Sequence, residues 1–331
     1  MPKYSIVVPV YNRPDELREL LQSLTDQTYK NFEVVIVEDG STEDSESVCQ
    51  RFKDILDIHY FVKENGGQGF ARNHGYERCQ GAYFIVFDSD CILPAHYMQS
   101  VHDFLSKKPV DAYGGPDAAH SSFTIVQKAI NHVMTSFFTT GGIRGNKKHV
   151  GRYHPRSFNM GISRAVFEQT KGYIIPFMGE DMEFSTRIIK EGFSTALISQ
   201  AYVYHKRRTS LIKFFKQLKY FGRARINLSR FHRGQVGLVH LFPTAFTVGL
   251  IFSILLTLFS STIGIFGILI YGTYLALILV ECLVRTKSIL VSVLVPVVAL
   301  LQLTGYGYGL VYEWIRKLRG IDPNTKYIEL Y

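Results

Sequence analysis

The sequence predicts an α/β domain with a mostly parallel sheet, followed by an amphipathic helix at a membrane interface and by C-terminal transmembrane helices. Three observations support this prediction. Apolar runs of strand length alternate with segments of helical periodicity over residues 4–90. A basic segment comes next, and long apolar runs follow it. The predicted divisions are a first domain at 1–205, an interface segment at 206–237 and a membrane region at 238–331.

The first strand, YSIVVPV, leads into a helix. Asn12 is a favoured N-cap residue, and Pro14 suits the first helical turn. Leucines at positions 17, 20, 21 and 24 then repeat at helical spacing. FEVVIVEDGS is a second strand, which is followed by a helix through Val48, the strand IHYFV and a glycine-rich turn. Strands that are apolar without alternation indicate a parallel sheet covered on both faces.

Polar residues lie where the predicted strands end. Glu38 and Asp39 end the second strand, residues 65–69 follow the third, and Asp88 and Asp90 follow the fourth. Because ligands bind beyond the carboxyl ends of parallel strands, these groups are expected to line one crevice. The first strand is followed by YNRPDE and not by GxGxxG, and GxxxxGK[ST] does not occur. The sequence therefore argues against a dinucleotide fingerprint and a P-loop.

The stretch VFDSDC carries the candidate metal ligands. Carboxylates two positions apart on an extended segment point to the same side. Mg²⁺ and Mn²⁺ prefer such oxygen ligands, and bound Mg²⁺ commonly bridges to substrate phosphates. The pair Asp88 and Asp90 thus predicts a clamp for a cation and a diphosphate, the alternative being a solvated turn.

A second acidic pair opens a short predicted helix in PFMGEDMEFSTRIIKEGF. Gly179 precedes Glu180 and Asp181, and Gly192 is a C-cap candidate. Acids at a helix N-terminus stabilise the helix dipole, so capping alone accounts for an acid here. A carboxylate that also lies in a crevice can accept a proton from an attacking hydroxyl.

These motifs, together with NGGQGFARNHG, occur in an order and spacing that resembles the family 2 glycosyltransferases, which have the Rossmann-like GT-A fold. The resemblance covers about residues 4–235. It implies an inverting enzyme that uses Mg²⁺ or Mn²⁺ and moves sugar from a nucleotide-sugar donor to a hydroxyl. For an enzyme that adds a single sugar, we expect a lipid-linked or glycan acceptor in cell-surface polysaccharide synthesis.

The resemblance assigns the donor site residue by residue. Asp39 is expected to hydrogen-bond the nucleotide base, and Pro9 and Tyr11 are expected to shape its pocket. Arg72 is expected to approach the nucleotide or its diphosphate, unless it is an arginine on the surface of a helix. Gly67 lets the backbone pass close to the ligand or simply makes a turn.

The resemblance also assigns the metal and the chemistry. Asp88 is expected near the ribose and the metal, and Asp90 is expected to bind the metal. Asp181 is the expected base, with Glu180 assisting acceptor placement. His205, at the end of AYVYH, either completes the metal shell or hydrogen-bonds backbone.

The apolar C-terminal third predicts a membrane protein. Its three runs are close to the length of a bilayer-spanning helix, and they are Val239–Phe259, Ile263–Val284 and Ser288–Tyr312. The N-terminus lacks a signal-peptide pattern, so we expect a cytoplasmic catalytic domain on a multi-pass protein of the cell inner membrane. Three crossings would place the basic residues at 316, 317 and 319 on the far side, against the positive-inside rule. Pro296 splits the third run, and two crossings remain an alternative.

The positive charge of the chain is local. Residues 206–233 contain ten Lys or Arg and no acid, and subtracting them from the formal net charge of +9 leaves about −1. SLIKFFKQLKYFGRARINLSRFHRG alternates apolar and basic residues, which favours a helix among anionic lipid headgroups over a nucleic-acid site. Four cysteines without metal spacing are expected to be free thiols.

The sequence favours a single-addition transferase over two alternatives. Processive synthases of the family carry QxxRW, where this chain has Gln217 to Phe221 without the Arg and Trp. A non-enzymatic nucleotide-sugar sensor is disfavoured because the metal pair and the candidate base are both present. The basic loop before NMGIS either orders over an acceptor phosphate or is solvated. Its basic residues are Arg144, Lys147, Lys148, Arg152 and Arg156. NMGISRAVF resembles the acceptor-side segment of the family, which implies that Asn159 and Met160 lie at the acceptor floor.

Overall fold

The computed structural model describes residues 3–118, 123–140 and 153–321. These form two compact units. The first holds residues 3–118 and 153–206, and the second holds 123–140 and 207–321. The change of unit at 206/207 lies one residue from the boundary that the composition predicts. Residues 123–140, which the sequence analysis placed inside the first domain, belong to the second unit instead.

The described strands and helices are numbered in chain order. The strands are β1 (Tyr4–Val10), β2 (Phe32–Asp39), β3 (Ile58–Lys63), β4 (Tyr83–Phe87), β5 (Cys91–Ile92), β6 (Ala112–Gly114), β7 (Asp117–Ala118), β8 (Asn159–Ser163), β9 (Thr195–Leu197) and β10 (Val203–His205). The helices are α1 (Pro14–Thr25), α2 (Glu46–Gln50), α3 (Gln68–Tyr76), α4 (Tyr97–Lys107), α5 (Ile125–Thr135), α6 (Phe137–Thr140), α7 (Arg164–Thr170), α8 (Glu180–Lys190), α9 (Leu211–Phe231), α10 (Leu238–Leu256), α11 (Ser261–Thr286) and α12 (Ile289–Leu318).

The first unit is built on a mostly parallel sheet with the order β3-β2-β1-β4-β8-β6-β9. β1 pairs in parallel with β2 and β4, and β2 with β3, whereas β8 runs antiparallel to β4 and β6. Side chains alternate between two apolar clusters, so Val8 packs on one face and Val7 on the other. The predicted sheet covered on both faces is confirmed.

The connection from β1 to α1 corrects one prediction. All four predicted leucines of α1 are fully buried, and Pro14 occupies the first turn. Asn12, however, has φ +52°, a left-handed conformation that asparagine tolerates, and the N-cap position is held by Arg13. The Asn12 side chain accepts hydrogen bonds from the backbone N–H groups of Thr42 (2.8 Å) and Glu43 (3.1 Å). It therefore fixes the loop after β2 rather than capping α1.

The second unit contains the apolar helices. α10, α11 and α12 are each long and apolar enough to cross a membrane. Pro296 lies inside α12, which is one continuous helix of 30 residues. The predicted split of the third run therefore does not occur. α5 and α9 pack against α12 within this unit.

Candidate active site

The sequence-predicted polar residues meet at the carboxyl ends of the parallel strands. Asp39 is the last residue of β2, and Asp88 and Asp90 follow β4. Pro9 and Tyr11, half-buried, lie at the end of β1 and just beyond it. All belong to the first unit, as do the start of α8 and the end of β10. Hydrogen bonds and ion pairs join charged residues at this edge into three groups, centred on Arg72, Asp90 and Asp39.

Arg72 is the centre of the largest group. Its side chain is 2% exposed, so it is not an arginine on a helix surface. Its Nη2 lies 2.8 Å from Asp88 Oδ1, and its Nη1 lies 3.0 Å from Glu180 Oε1. Burial opposes the charge, but the neighbouring Tyr173, Asp88 and Glu180 outweigh burial and raise the Arg72 pKa. The guanidinium is thus a fixed positive charge that ties the end of β4 to the start of α8.

Glu180 faces the interior of this group. Its side chain is 5% exposed and accepts hydrogen bonds from Arg72 and from the Gln68 amide. Burial and the charge of Asp181 raise the Glu180 pKa to about 7, while Arg72 acts in the opposite direction. This placement differs from the expected role in acceptor placement, because the carboxylate is occupied by α3. Glu180 instead holds Arg72.

Asp181 is the accessible acid of the pair. Gly179 precedes the helix with φ +94°, a left-handed conformation that suits glycine, and α8 begins directly after it. The Asp181 side chain is 24% exposed, and its Oδ2 lies 3.1 Å from Arg156 Nη1. The neighbouring Met182 N–H donates to Oδ1 at 2.7 Å. Asp181 is therefore an oriented and partly exposed carboxylate at the start of α8.

Asp90 lies between a histidine and an arginine. Its Oδ1 is 3.1 Å from His205 Nε2, and its Oδ2 is 3.0 Å from Arg13 Nη1. The His205 ring stacks on Phe158 with centroids 5.1 Å apart. Asp88 to Asp90 form a turn, not the extended segment that was predicted, and the two carboxylates consequently have different partners. The Asp88 carboxylate pairs with Arg72, and the Asp90 carboxylate pairs with His205 and Arg13.

These donors fit a divalent cation. Asp90, Cys91 and His205 place one ligand atom each within 4.8 Å of one another. Burial raises the Cys91 pKa well above its usual value, which disfavours the thiolate form that binds a metal. A carboxylate oxygen and an imidazole nitrogen remain, a donor set that Mn²⁺ and related metals accept. Arg13 balances the charge of Asp90 in the same place.

Asp39 is engaged by the glycine-rich turn. Its carboxylate accepts from the backbone N–H groups of Gly66 (3.0 Å) and Gly67 (2.8 Å), and from Lys63 Nζ at 2.7 Å. Gly67 has φ +93°, and a Cβ there would lie 2.5 Å from the Phe177 ring. Only glycine fits, because both the conformation and the space exclude a side chain. Asp39 thus shapes the turn that opens α3.

Several site residues were not found by sequence reasoning. Arg13, Lys63 and Gln68 each contact a predicted acid, but a charged residue beside a turn normally indicates a solvated surface. Asn159, expected at the acceptor floor, is buried in β8, where it accepts from the Tyr97 hydroxyl (2.5 Å) and donates to the Ala201 carbonyl (2.8 Å). Met160 is also fully buried. The basic residues predicted at 144, 147, 148 and 152 lie outside the described residues.

Comparison with known proteins shows the family of this chain. The family model for glycosyl transferase family 2 matches residues 5–171. Glycosyltransferase GlyA of Streptococcus pneumoniae is 40% identical over 101 residues, which is 30% of this chain and 14% of GlyA. A Bacillus subtilis protein, TuaG, whose name proposes a glycosyltransferase of teichuronic acid biosynthesis, is 36% identical over 91 residues, 27% of this chain and 36% of TuaG. The matched stretch spans well under two thirds of either relative.

Solved structures show the same fold at low sequence identity. Mannosyltransferase PcManGT from Pyrobaculum calidifontis, in complex with GDP-Man and Mn²⁺, matches with a TM-score of 0.59 and 15% identity, covering 97% of this chain and 88% of that one. Residues 1–349 of Staphylococcus aureus TarS match with a TM-score of 0.51 and 18% identity, covering 96% and 92%. The mostly parallel sheet with its strand-end acids is a GT-A fold, and the chain belongs to glycosyltransferase family 2.

Proposed function

We propose that the protein is a membrane-anchored, inverting glycosyltransferase. It moves one sugar from a nucleotide-sugar donor to a hydroxyl of a lipid-linked or glycan acceptor, in cell-surface polysaccharide synthesis. The observation that carries the proposal is the division of the acids at α8, where Asp181 faces the crevice while Glu180 is buried on Arg72. GDP-Man and Mn²⁺ in the similar PcManGT structure support a nucleotide-sugar and a metal here. The name of TuaG supports a cell-surface polysaccharide.

The donor is bound by the strand ends of β1, β2 and β4. Pro9 and Tyr11 border the position of the nucleotide base, and Asp39 meets it from the end of β2. In the structure Asp39 already holds Gly66 and Gly67, so its contribution includes ordering the turn that the donor passes. Arg72, fixed between two carboxylates, presents positive charge next to Asp88, where the diphosphate is expected.

The cation belongs at Asp90 and His205, with Asp88 on the ribose side. A bound Mg²⁺ or Mn²⁺ would neutralise charge on the diphosphate as it leaves. Neighbouring residues orient these two ligand side chains. Phe158 supports the His205 ring, and Arg13 holds the Asp90 carboxylate in place through one oxygen.

Asp181 takes the proton of the acceptor hydroxyl. The acceptor oxygen forms a bond to the anomeric carbon of the sugar, and the bond from that carbon to the diphosphate oxygen breaks. The hydroxyl proton passes to the Asp181 carboxylate, and the nucleoside diphosphate departs with the bonding electrons. A single displacement of this kind inverts the anomeric centre. Arg156 keeps the Asp181 carboxylate oriented.

The test uses membranes that contain the full chain and a panel of nucleotide-sugars. Release of nucleoside diphosphate is measured with and without Mn²⁺ or Mg²⁺, and chelator or Asp90→Ala is expected to abolish it. Asp26→Ala, at the end of α1, is a matched control away from the strand ends. Activity that survives excess chelator would remove the metal from the proposal.

The length of the product and the binding of the donor separate the alternatives. A single added sugar supports the proposal, whereas a ladder of products would indicate a processive synthase. Donor binding without release of nucleoside diphosphate, for every acceptor extract supplied, would indicate a sensor.

A further inference from the structure

The three apolar helices of the second unit differ in how far the protein covers them. In the most apolar 18-residue window of each helix, 6% of residues are buried in α10, 11% in α11 and 44% in α12. A helix that faces lipid leaves most of its apolar side chains uncovered by protein, as α10 and α11 do. α12 is about as apolar as the other two, but protein covers one face of it, where Val295, Val298 and Leu303 are buried.

α9 covers the C-terminal half of α12 at close range. A Cβ on Gly309 would lie 2.0 Å from the Lys219 carbonyl, and one on Gly222 would lie 2.1 Å from the Tyr306 carbonyl. Small residues at such positions allow two helix backbones to touch. The contacts advance together along both helices, from Lys219 beside Gly309 to Ser229 beside Lys317. The two helices therefore run parallel.

Charged groups lock the end of α12 onto α9. Glu313 is fully buried, and its carboxylate lies 3.0 Å from Arg223 Nε and 3.1 Å from Arg230 Nη2. Lys317 Nζ donates to Ser229 Oγ at 2.8 Å. A buried carboxylate needs such partners, so α12 does not separate from α9 without leaving a charge unpaired. The two helices share one environment.

That environment is not the interior of a bilayer. α9 carries six Lys or Arg and no acid, and Lys213 and Lys216 are exposed. Cationic side chains at this density are strongly unfavourable in hydrocarbon. α9 also begins only a few residues after the first unit ends at Lys206. The end of α12 therefore lies on the same side of the membrane as the catalytic unit.

α10 and α11 form an antiparallel hairpin. The Phe246 and Tyr271 rings meet 4.8 Å apart, and Gly264 lies against the backbone of Thr257. The same register brings the start of α10 level with the turn of α11 that holds Glu281. Glu281 lies 3.0 Å from Arg285, accepts from the Ser136 hydroxyl of the α5–α6 junction and is 3.5 Å from His132 of α5. The last turns of α11 thus pack against protein, and their Glu281 carboxylate is held by polar side chains.

We propose that α10 and α11 alone cross the membrane, and that α12 stays on the side of α9. With α5 and α9, α12 then forms a layer at the bilayer surface. The residues at 257–262, TLFSST, are the uncharged far end of the hairpin. Every basic residue near the ends of α11 and α12 falls on the catalytic side, as the positive-inside rule requires. The proposal does not depend on the reaction catalysed.

The test is cysteine labelling of intact cells that express the full chain, with a membrane-impermeant maleimide. Single variants place a thiol at three exposed positions: Leu258→Cys in the hairpin turn, Arg319→Cys after α12 and Ile212→Cys at the start of α9. The four native cysteines are buried, and the unaltered chain measures their background. Labelling after permeabilisation measures the total thiol that each variant presents.

The expected result is rapid labelling of Leu258→Cys on intact cells. Arg319→Cys and Ile212→Cys should label only after permeabilisation, at least tenfold above their labelling on intact cells. Labelling of Arg319→Cys on intact cells at the rate of Leu258→Cys would show that α12 crosses, and would overturn the proposal. Failure of Leu258→Cys to label on intact cells, with full labelling after permeabilisation, would overturn it equally, because the hairpin would then not cross.

Discussion

At the residue scale, two adjacent acids carry different tasks because a helix turns them to different sides. Successive residues of an α-helix are about 100° apart, since 3.6 residues complete a turn. Glu180 therefore points into the first unit, where Arg72 binds it, while Asp181 reaches the crevice beside Arg156. The sequence predicted that both acids open one helix, but it could not assign the inner and outer positions. That assignment depends on Arg72, which lies on α3.

Asp181→Asn tests the proposed base. The change keeps size and hydrogen-bonding shape but removes the proton acceptor, so turnover should fall by about two to four orders of magnitude. Donor affinity should change little. If Asp181 only stabilised the start of α8, turnover would stay nearly normal, because Asn caps a helix about as well as Asp. Steady-state rates and donor titrations measure the two effects.

The matched control is Asp15→Asn, an acid in the first turn of α1 whose side chain is 80% exposed. It should retain wild-type turnover. An Asp181→Asn protein with near-normal turnover would remove Asp181 from the mechanism.

Glu180 should make stability depend on pH. Burial is the main reason why the Glu180 pKa rises to about 7 in the folded protein. In the unfolded chain the pKa of this carboxyl is about 4.5. Between these values the unfolded chain releases the proton and the folded chain keeps it. The Glu180 contribution to folding stability therefore declines as pH rises from about 4.5 to 7, and levels off above. In Glu180→Gln this decline should disappear, which thermal unfolding of the detergent-solubilised protein across that range would show. Identical pH profiles for the two proteins would contradict the assignment.

At the element scale, the turn from β3 into α3 depends on one glycine. Gly67 has φ +93° and ψ 155°, a region of backbone conformation that is nearly exclusive to glycine. Gly67→Ala combines this strain with contact against Phe177, so it should destabilise the protein by roughly 1–3 kcal/mol. It should also weaken donor binding, because the Gly67 N–H holds Asp39. Chemical denaturation and donor titration check both effects.

Gly66→Ala is the neighbouring control. The close contact of a Cβ there would be with the flexible end of Lys63, at 2.8 Å from Nζ, and no left-handed backbone is required. Gly66→Ala should lower the free energy of unfolding much less than Gly67→Ala does. Equal losses of stability would mean that the turn needs glycine for flexibility and not for its conformation.

The elements that sequence predicted best are those whose pattern is decided locally. β1, β2 and α1 follow from continuous apolar runs and from leucine spacing. Asn12 was misassigned because its side-chain partners, at Thr42 and Glu43, lie 30 residues away. The candidate acids Asp39, Asp88 and Asp90 were predicted because they end or follow strands, whereas Arg13 and Lys63 are recognised only by the carboxylates they contact. Such contacts depend on the sheet order, which no local pattern records.

At the scale of the whole molecule, the membrane unit includes a segment from the middle of the catalytic sequence. The apolar faces of α5 and α9 share one cluster with α12, including Val133, Phe214, Leu218 and Val295. These side chains are at most 4% exposed. Burial of a large apolar side chain contributes about 1.5–3 kcal/mol, so the cluster is a substantial part of this unit's stability.

Deleting residues 238–331 should therefore not give a well-behaved soluble protein. Loss of α12 uncovers the faces of α5 and α9, and the truncated chain should aggregate or stay with membranes. Adding Phe214→Ser and Leu218→Ser to the truncated chain should increase the soluble fraction severalfold. Sedimentation after carbonate washing, followed by size-exclusion chromatography, measures this. A monomeric truncated chain without these two changes would contradict the packing seen here.

The insertion of α5 into the membrane unit also limits how the gene can recombine. A single crossover near codon 207 would exchange α9 to α12 as a block, but would leave residues 123–140 behind in the catalytic half. The incoming helices would then pack against an α5 segment that evolved with a different membrane anchor. That segment supplies His132 and Ser136, the partners of Glu281. Exchange of membrane anchors between relatives therefore requires two segments to move together.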